Sequence, residues 1–253
     1  MMRNSLETSL VFPEDPEKDY RKVWQGPEHF LWDQHGLPMI DYLGYLTLVR
    51  EILPPPPLEI LDVGCGDGFV AAILANDGYR VTGIDFSARA VAFAKIFVPE
   101  GKFYDHDIRS LKDATWLHGK FPAALLMEVL EHIPPEHHSL SLEGIRRCLA
   151  EGGKLFLSVP SANMPMISLD YKHFAAEELK VLLDESGFLT EKVIFQHEIH
   201  YLYSPRLWRW LCNRYYDLRA LRRALHRLFM ARFNRVKDSK RAGRLIVQAV
   251  RKS

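Results

Sequence analysis

One stretch of the chain decides its fold, and it reads Leu61-Asp62-Val63-Gly64-Cys65-Gly66-Asp67-Gly68. It ends a short apolar run at 58–63 and precedes a helical pattern at 69–75. Its three glycines permit a tight turn and leave room for a ligand to approach the backbone. The stretch therefore predicts a buried strand, a ligand-binding turn and a helix, with the ligand at the carboxyl end of the strand.

Short apolar runs and helical patterns alternate from here to the end of the chain. Such alternation is typical of βαβ units, in which helices cover both faces of a mostly parallel sheet. We predict a Rossmann-like α/β fold, a three-layer sandwich with a seven-stranded sheet. The predicted strands are 58–63, 80–85, 102–107, 121–127, 154–159, 188–196 and 244–250; the predicted helices are 69–75, 87–98, 177–185 and one that carries Leu140, Ile145 and Leu149 and ends at Gly152-Gly153.

Four consecutive prolines, Pro54 to Pro57, divide the chain. A helix cannot continue through them, so residues 1–57 are predicted to form an N-terminal helical cap. Residues 58–253 are predicted to form the ligand-binding domain. This domain includes a basic amphipathic helical insert at about 197–243, whose leucines recur at steps of three, four or seven residues. These leucines are Leu207, Leu211, Leu218, Leu221, Leu225 and Leu228.

The composition is that of a globular protein from a reducing compartment. Hydrophobic residues make up 47% and charged residues 26%, which excludes disorder of the whole chain. Three cysteines are too few for a disulfide scaffold, and no apolar run reaches the roughly 18 residues of a membrane-spanning helix. We expect a cytoplasmic protein. If its basic insert contacts lipid, the protein would lie peripherally on the inner face of the membrane.

The glycine stretch departs from the fingerprint of a dinucleotide-binding site. That fingerprint is Gly-x-Gly-x-x-Gly, whereas the third glycine here, Gly68, comes one residue early. Asp62 would also face the negative pyrophosphate of a dinucleotide. A ligand with an amine and a sulfonium suits a carboxylate at this position. Asp85, at the end of the next strand, could take both hydroxyls of a ribose.

Five segments together resemble the class I S-adenosylmethionine-dependent methyltransferases. Within that family, they are most similar to the branch that includes the ubiquinone-biosynthesis O-methyltransferases and many small-molecule methyltransferases. The resemblance covers residues 58 to about 196 and the closing strand. The segments are LDVGCGDG at 61–68, GIDFS at 83–87, HDIRSL at 106–111, ALLMEVLEHI at 124–133 and GGKLFLSVPS at 152–161.

The resemblance implies S-adenosylmethionine as the cofactor. In the family, the glycine loop and the acid at Asp62 hold the methionine end, and the acid at Asp85 holds the ribose. The position of Asp107-Ile108 meets the adenine, and Met127 lies along the cofactor. The cofactor-binding residues predicted in this way are Asp62, Gly64, Cys65, Gly66, Gly68, Asp85, Phe86, Asp107, Ile108 and Met127.

The segment Met127-Glu128-Val129-Leu130-Glu131-His132 follows the fourth strand, against the cofactor. It resembles the ubiquinone O-methyltransferases and the small-RNA 3′-end 2′-O-methyltransferases, in which the same Glu-x-x-Glu-His spacing is associated with a divalent metal. A further histidine completes the site in the RNA enzymes, and His173 occupies a similar place. The resemblance thus implies Mg²⁺, Mn²⁺ or Zn²⁺ held by Glu128, Glu131, His132 and His173.

The same segment also has an interpretation without a metal, in which His132 is a general base. A hydroxyl or amine that attacks a methyl group must lose a proton, which calls for a base or a metal ion. His132 and Glu128 are the predicted catalytic residues. We expect S-adenosylmethionine-dependent methyl transfer to oxygen on a small-molecule or lipid-linked acceptor. Two alternatives stay open: a metal-dependent RNA ribose 2′-O-methyltransferase, and a non-catalytic partner module that binds S-adenosylmethionine.

Charge is divided unevenly along the chain. Residues 201–253 contain 15 Lys and Arg and two acidic residues, a net charge of +13, whereas residues 1–200 carry −12. Three interpretations of the basic segment stay open. A lid that packs on the sheet ranks first, because an apolar helical stripe is usually core. A helix on a membrane surface ranks second, and a face that binds RNA ranks third.

Overall fold

The computed structural model describes residues 26–31, 37–197 and 235–252, and six separate helical positions between 220 and 230. The helices are α1 (Glu28–Leu31), α2 (Leu37–Arg50), α3 (Phe69–Asn76), α4 (Ala88–Phe97), α5 (His138–Cys148) and α6 (Ala176–Glu185). The strands are β1 (Glu59–Val63), β2 (Arg80–Asp85), β3 (Lys102–Asp105), β4 (Phe121–Met127), β5 (Leu149–Pro160), β6 (Phe188–His197), β7 (Arg235–Val236) and β8 (Ala242–Arg251).

The strands form one sheet in the order β3-β2-β1-β4-β5-β8-β6-β7. The five strands from β3 to β5 are parallel, and β8 runs antiparallel to both of its neighbours, β5 and β6. The described sheet has one strand more than predicted, because the two-residue β7 pairs with Phe195 and Gln196 at the edge of β6. The order reverses between β1 and β4, which is where parallel α/β sheets bind their ligands.

Helices cover both faces of the sheet, and each face has its own apolar cluster. On one face, α5 and α6 contribute fully buried residues such as Ile145 and Leu183. On the other face, α2, α3 and α4 contribute Tyr45, Leu74 and Ala94, which are equally buried. The predicted three-layer α/β sandwich is therefore confirmed.

The boundary between α5 and β5 differs from the prediction. The sequence predicted a helix through Leu149 to Gly152-Gly153, whereas α5 ends at Cys148 and Leu149 already pairs with Phe121 of β4. Gly152 has a φ of +66°, and a Cβ on Gly153 would lie 2.9 Å from the carbonyl oxygen of Ala150. These glycines therefore shape an irregularity inside a strand, and they do not end a helix.

The predicted domain division at residue 57 stays a prediction. In the described part of the cap, α2 contacts β6 and β8, and its residues Leu46 and Val49 are buried in the same apolar cluster as the sheet. Most of the predicted insert at about 197–243 lies outside the described residues. Its described end holds β7, a 3₁₀ turn at Ser239–Arg241 and the start of β8.

No helix within these described ranges is both long enough and apolar enough to cross a membrane.

Candidate active site

The glycine loop, residues 64–68, lies at the carboxyl end of β1. Its three glycines, Gly64, Gly66 and Gly68, have φ values of +74°, +53° and +83°, which other residues rarely adopt. A Cβ on Gly64 would lie 2.4 Å from Val129 Cγ2, and a Cβ on Gly68 would lie 2.8 Å from Ala94 Cα. Gly68 is therefore required by the close approach of α4, whereas the sequence suggested the approach of a ligand.

Two predicted cofactor carboxylates, Asp62 and Asp85, lie beside this loop and are buried. Asp85 accepts hydrogen bonds from the backbone N–H of Gly66 at 3.0 Å and of Ser87 at 2.9 Å. Asp62 Oδ2 is fully buried and accepts no hydrogen bond from any described residue. The structure thus brings the two acids together, with one carboxylate oxygen left for a ligand.

Burial shifts the pKa values of both carboxyls upward. Burial, and then the nearby charge of Asp85, raise the pKa of Asp62 to about 7. Burial also raises the pKa of Asp85 to about 6, although its hydrogen bonds from Ser87 and Gly66 act in the opposite direction. Each ionised carboxyl is therefore destabilised in the unliganded site, and a cationic ligand would relieve that destabilisation.

The other predicted cofactor residues fall into two groups. Cys65 and Met127 are buried near the ends of β1 and β4. Burial raises the pKa of the Cys65 thiol, and the charges of Asp85 and Asp62 raise it further. Phe86 and Ile108 are half-buried in the loops that follow β2 and β3.

Asp107 has a structural role that the sequence did not indicate. Its carboxylate accepts a hydrogen bond from the backbone N–H of Arg109 and caps the 3₁₀ helix Ile108–Asp113. The same carboxylate forms a two-pronged ion pair with the Arg109 guanidinium, with Nη2 at 2.5 Å. An adenine contact at Asp107-Ile108 stays a prediction.

The N-terminal segment reaches the glycine loop through Asp67, which the sequence did not single out as a site residue. Asp67 Oδ2 accepts a hydrogen bond from the backbone N–H of His29, and Oδ1 lies 2.9 Å from the Nδ1 atom of the same residue. Asp67 is completely buried. The short helix α1 therefore lies against the loop.

Helix α2 lines the site next to α1. Its Tyr42 is partly buried, and its pKa is raised by loss of solvent and also by the charges of Asp62, Asp67 and Glu128. Tyr42 is therefore close to both the glycine loop and the segment after β4. Charges at the cofactor end and in the predicted catalytic segment therefore both act on this one side chain.

Glu128, the first residue after β4, has a φ of +55°, which is strained for a residue other than glycine. Its Oε1 accepts a hydrogen bond from Ser158 Oγ at 2.7 Å. Its Oε2 lies 2.9 Å from Arg244 Nε on β8. Strain of this kind concentrates at functional sites, and here the carboxylate faces the carboxyl end of β5 and the start of β8.

Asp170 joins the two predicted site histidines. Its Oδ1 lies 3.0 Å from His132 Nδ1, and its Oδ2 lies 2.7 Å from His173 Nε2. Burial raises the pKa of Asp170, but the hydrogen bonds from both histidines outweigh it, and the net pKa is lowered. Because a carboxylate only accepts, His132 carries its proton on Nδ1, and its lone pair is on Nε2. The sequence analysis named both histidines but missed Asp170.

Glu131 is poorly placed to act as an ionised carboxylate. It is buried, and its Oε1 lies 3.9 Å from His132 Nε2. Its Oε2 accepts no hydrogen bond within the described ranges. Burial, and then the charge of Glu128, raise the pKa of Glu131 well above its ordinary value.

Comparison with known proteins agrees with this geometry. A family model for a methyltransferase domain matches residues 40–228, more than half of the chain. The chain belongs to this methyltransferase family. The chain is 31% identical over 155 residues to the ubiquinone biosynthesis O-methyltransferase of Thiobacillus denitrificans, and the match covers 53% of this chain and 66% of that protein.

A protein of the same name from Xanthomonas axonopodis pv. citri is 36% identical over 115 residues, or 45% of this chain and 47% of that protein. The chain thus spans between about half and two thirds of the length of these relatives.

Solved structures support the fold of the chain. Magnesium protoporphyrin IX methyltransferase from Synechocystis, with bound SAH, has a TM-score of 0.57 at 19% identity and covers 89% of this chain and 92% of its own. A second match is a chain in the complex between the Haloferax volcanii Trm112 methyltransferase activator and the putative methyltransferase. It has a TM-score of 0.63 at 16% identity, and the match covers 96% of this chain and 100% of that chain. At these identities the likeness establishes the fold alone.

The side chains predicted to hold a metal ion have other partners in the structure. In the part of the chain that the structure describes, no three His, Cys, Asp or Glu side chains are grouped to hold a metal ion. Glu128 is paired with Arg244, and both ring nitrogens of His173 face acceptor oxygens, those of Asp170 and of the Met164 carbonyl. These side chains bind one another, so the donor set does not fit a divalent metal.

Proposed function

We propose that this chain is an S-adenosylmethionine-dependent methyltransferase that acts on a hydroxyl of a small-molecule or lipid-linked acceptor. The observation that carries the proposal is the buried pair Asp62 and Asp85 beside the glycine loop. Their raised pKa values are those of a site built for a ligand with positive charge. S-adenosylmethionine carries both an ammonium and a sulfonium, and when bound it supplies an activated methyl group.

The residues after β4 support transfer to oxygen. Transfer of an activated methyl group depends mainly on proximity and alignment, but a hydroxyl acceptor must also lose its proton. His132 would accept that proton on Nε2, and Asp170 would hold the ring through Nδ1 and stabilise the imidazolium that forms. The ubiquinone biosynthesis O-methyltransferases that resemble the chain also point to an oxygen acceptor.

The contacts of Glu128 and His173 favour metal-independent transfer over the metal-dependent alternative. An RNA ribose 2′-O-methyltransferase of the metal-dependent kind needs Glu128, Glu131, His132 and His173 around one ion. Instead, Arg244 is paired with the Glu128 carboxylate. Asp170 is paired with ring nitrogens of His132 and His173. An acceptor hydroxyl activated by His132 is therefore the better-supported proposal.

Extracts of cells that lack the gene test this function directly. We expect a metabolite or lipid that is lighter by one methylene unit than its wild-type counterpart to accumulate in these cells. Purified protein with methyl-labelled S-adenosylmethionine should then convert this compound in the extract to the labelled wild-type product. Labelling that requires added Mg²⁺ and yields modified RNA would support the ribose alternative. Cofactor binding without labelling of any extract would support the non-catalytic module.

We further propose peripheral contact between the basic segment and anionic lipid. Residues 201–253 carry a net charge of +13. Within the described positions of that segment, Leu221 and Leu228 stand seven residues apart, on one helical face, and each is 44% exposed. An exposed apolar face beside many arginines is typical of a helix that lies on a membrane surface.

Vesicle sedimentation checks this contact. The protein should sediment with phosphatidylcholine vesicles that contain phosphatidylglycerol, and not with phosphatidylcholine alone. Arg227→Gln should lower the partition coefficient by about fivefold, since one basic residue near such a surface contributes about 1 kcal/mol. Lys120→Gln, at an exposed position of the body, is the matched control and should change nothing. Equal binding to both vesicle types would contradict the proposal and favour a lid packed on the sheet.

A further inference from the structure

Arg244 lies at the same edge of the sheet as the predicted catalytic segment. Because β8 runs antiparallel to β5, its first residues stand beside the carboxyl end of β5, where Arg244 is opposite Pro160. Glu128 leaves β4 at this edge, and its backbone N–H donates to the carbonyl of Ser158 at 3.1 Å. Strand β8 therefore places the Arg244 guanidinium where the Glu-x-x-Glu-His segment begins.

Buried partners hold the Arg244 guanidinium in one orientation. Nε lies 2.9 Å from Glu128 Oε2, and Nη1 donates to Gln196 Oε1 at 2.9 Å. The guanidinium also stands over the ring of Tyr45, with Cζ 4.6 Å from the ring centre. Tyr45 and Gln196 are completely buried. Partners on α2, on β6 and after β4 thus fix the cation, and a planar group fixed in this way is a pre-organised charge.

The surroundings of Arg244 are acidic. Glu131 is buried three residues after Glu128. Asp170 is also buried, and its two carboxylate oxygens face His132 and His173. The guanidinium supplies a compensating positive charge at Glu128, with which it is paired.

We propose that Arg244 takes the place of a divalent metal ion in this acceptor site and positions Glu128 for the acceptor. This inference rests on the proposed function only in treating the segment after β4 as the acceptor site. The guanidinium uses the carboxylate oxygen that a metal would need and repels a divalent cation from the same place. Held in this way, the Glu128 carboxylate is fixed in orientation, and it can accept a hydrogen bond from the acceptor hydroxyl.

Titration with Mn²⁺ alone, followed by electron paramagnetic resonance, tests the inference on the full chain with bound S-adenosylhomocysteine. The wild type should bind no Mn²⁺ below about 1 mM, whereas Arg244→Gln should bind one Mn²⁺ at least about 100-fold more tightly. Arg244→Lys keeps the charge and should behave as the wild type. Glu128→Gln, added to Arg244→Gln, should abolish the new binding.

Two outcomes would overturn the inference. One is stoichiometric micromolar Mn²⁺ binding by the wild type, and the other is an Arg244→Gln variant that binds S-adenosylhomocysteine normally but remains as unresponsive to Mn²⁺ as the wild type. The titration needs neither an acceptor nor turnover, so its result is separate from that of the methyl-transfer assay. Affinity for S-adenosylhomocysteine, measured in the same samples, shows that each variant is folded.

Discussion

We expect His132→Ala to lower the rate of methyl transfer by roughly 10²–10⁴-fold, the usual contribution of a general base. Its affinity for S-adenosylhomocysteine should change by less than about twofold, because His132 is paired with Asp170 and not with the carboxylates beside the glycine loop. The rate is measured as labelled methyl incorporated into the compound that accumulates in cells lacking the gene. Calorimetry gives the affinity.

Two further variants make this result specific to the proposed proton transfer. Asp170→Asn should also slow the reaction, because an amide in place of the carboxylate no longer fixes the proton on His132 Nδ1. His118→Ala is the matched control: the Nε2 atom of this half-buried histidine lies 3.1 Å from the Leu111 carbonyl oxygen, and loss of the ring should leave the rate unchanged. If His132→Ala and Asp170→Asn both retain the wild-type rate, another group accepts the proton.

We expect Asp62→Asn to weaken cofactor binding and to stabilise the unliganded protein. A buried carboxylate that receives the cofactor ammonium contributes about 1.5–3 kcal/mol, so the affinity at pH 8 should fall by about 10- to 100-fold. Without the cofactor, the ionised Asp62 is buried and destabilising, and asparagine removes that charge. The melting temperature of the unliganded variant at pH 8 should therefore rise by about 5 °C or more.

The dependence on pH follows from the same carboxyl. The pKa of Asp62 is raised from 3.8 to about 7 by folding, so its contribution to stability is present at low pH and is lost as the pH rises through 7. The cofactor binds the ionised form, so its affinity for the wild type should fall by about tenfold for each pH unit below 7.

The Asp62→Asn variant should show no such fall between pH 8 and pH 6.5, a range that lies above the pKa of about 6 of Asp85. In Asp85→Asn, the midpoint should move below 7, because the like charge that helps to raise the pKa of Asp62 is gone. Calorimetric titration with S-adenosylhomocysteine across this pH range measures both effects. Parallel pH profiles for wild type and Asp62→Asn would place Asp62 outside the binding site.

Much of the fold could be predicted because each element has a local signal. The strands Arg80–Asp85 and Phe121–Met127 were predicted with the bounds that the structure shows, since each apolar run is bordered by polar or turn residues. The helix before β5 was extended too far, because the pairing of Leu149 with Phe121 overrides a helical spacing that continues beyond Cys148. Pairing between distant strands leaves no trace in a local pattern.

The candidate site was predictable only where its residues lie within one motif. The glycine loop and the segment from Glu128 to His132 are continuous in sequence, so spacing and resemblance found them. Arg244 is 116 residues from Glu128 in the sequence. It begins an apolar run that predicts a strand and gives no sign of a site residue. Asp170 lies between an exposed loop and a helix, without any spacing that relates it to His132. A single sequence gives no signal for such long-range partners.

The position of β8 has a consequence for folding of the protein during translation. This strand inserts between β5 and β6, although residues 242–251 are translated after both of them. Until then, the nascent chain presents two unpaired strand edges, which are open to pairing with other chains. Expression yield and chaperone demand should therefore respond more strongly to changes in this late segment than to changes at the outer edge of the sheet.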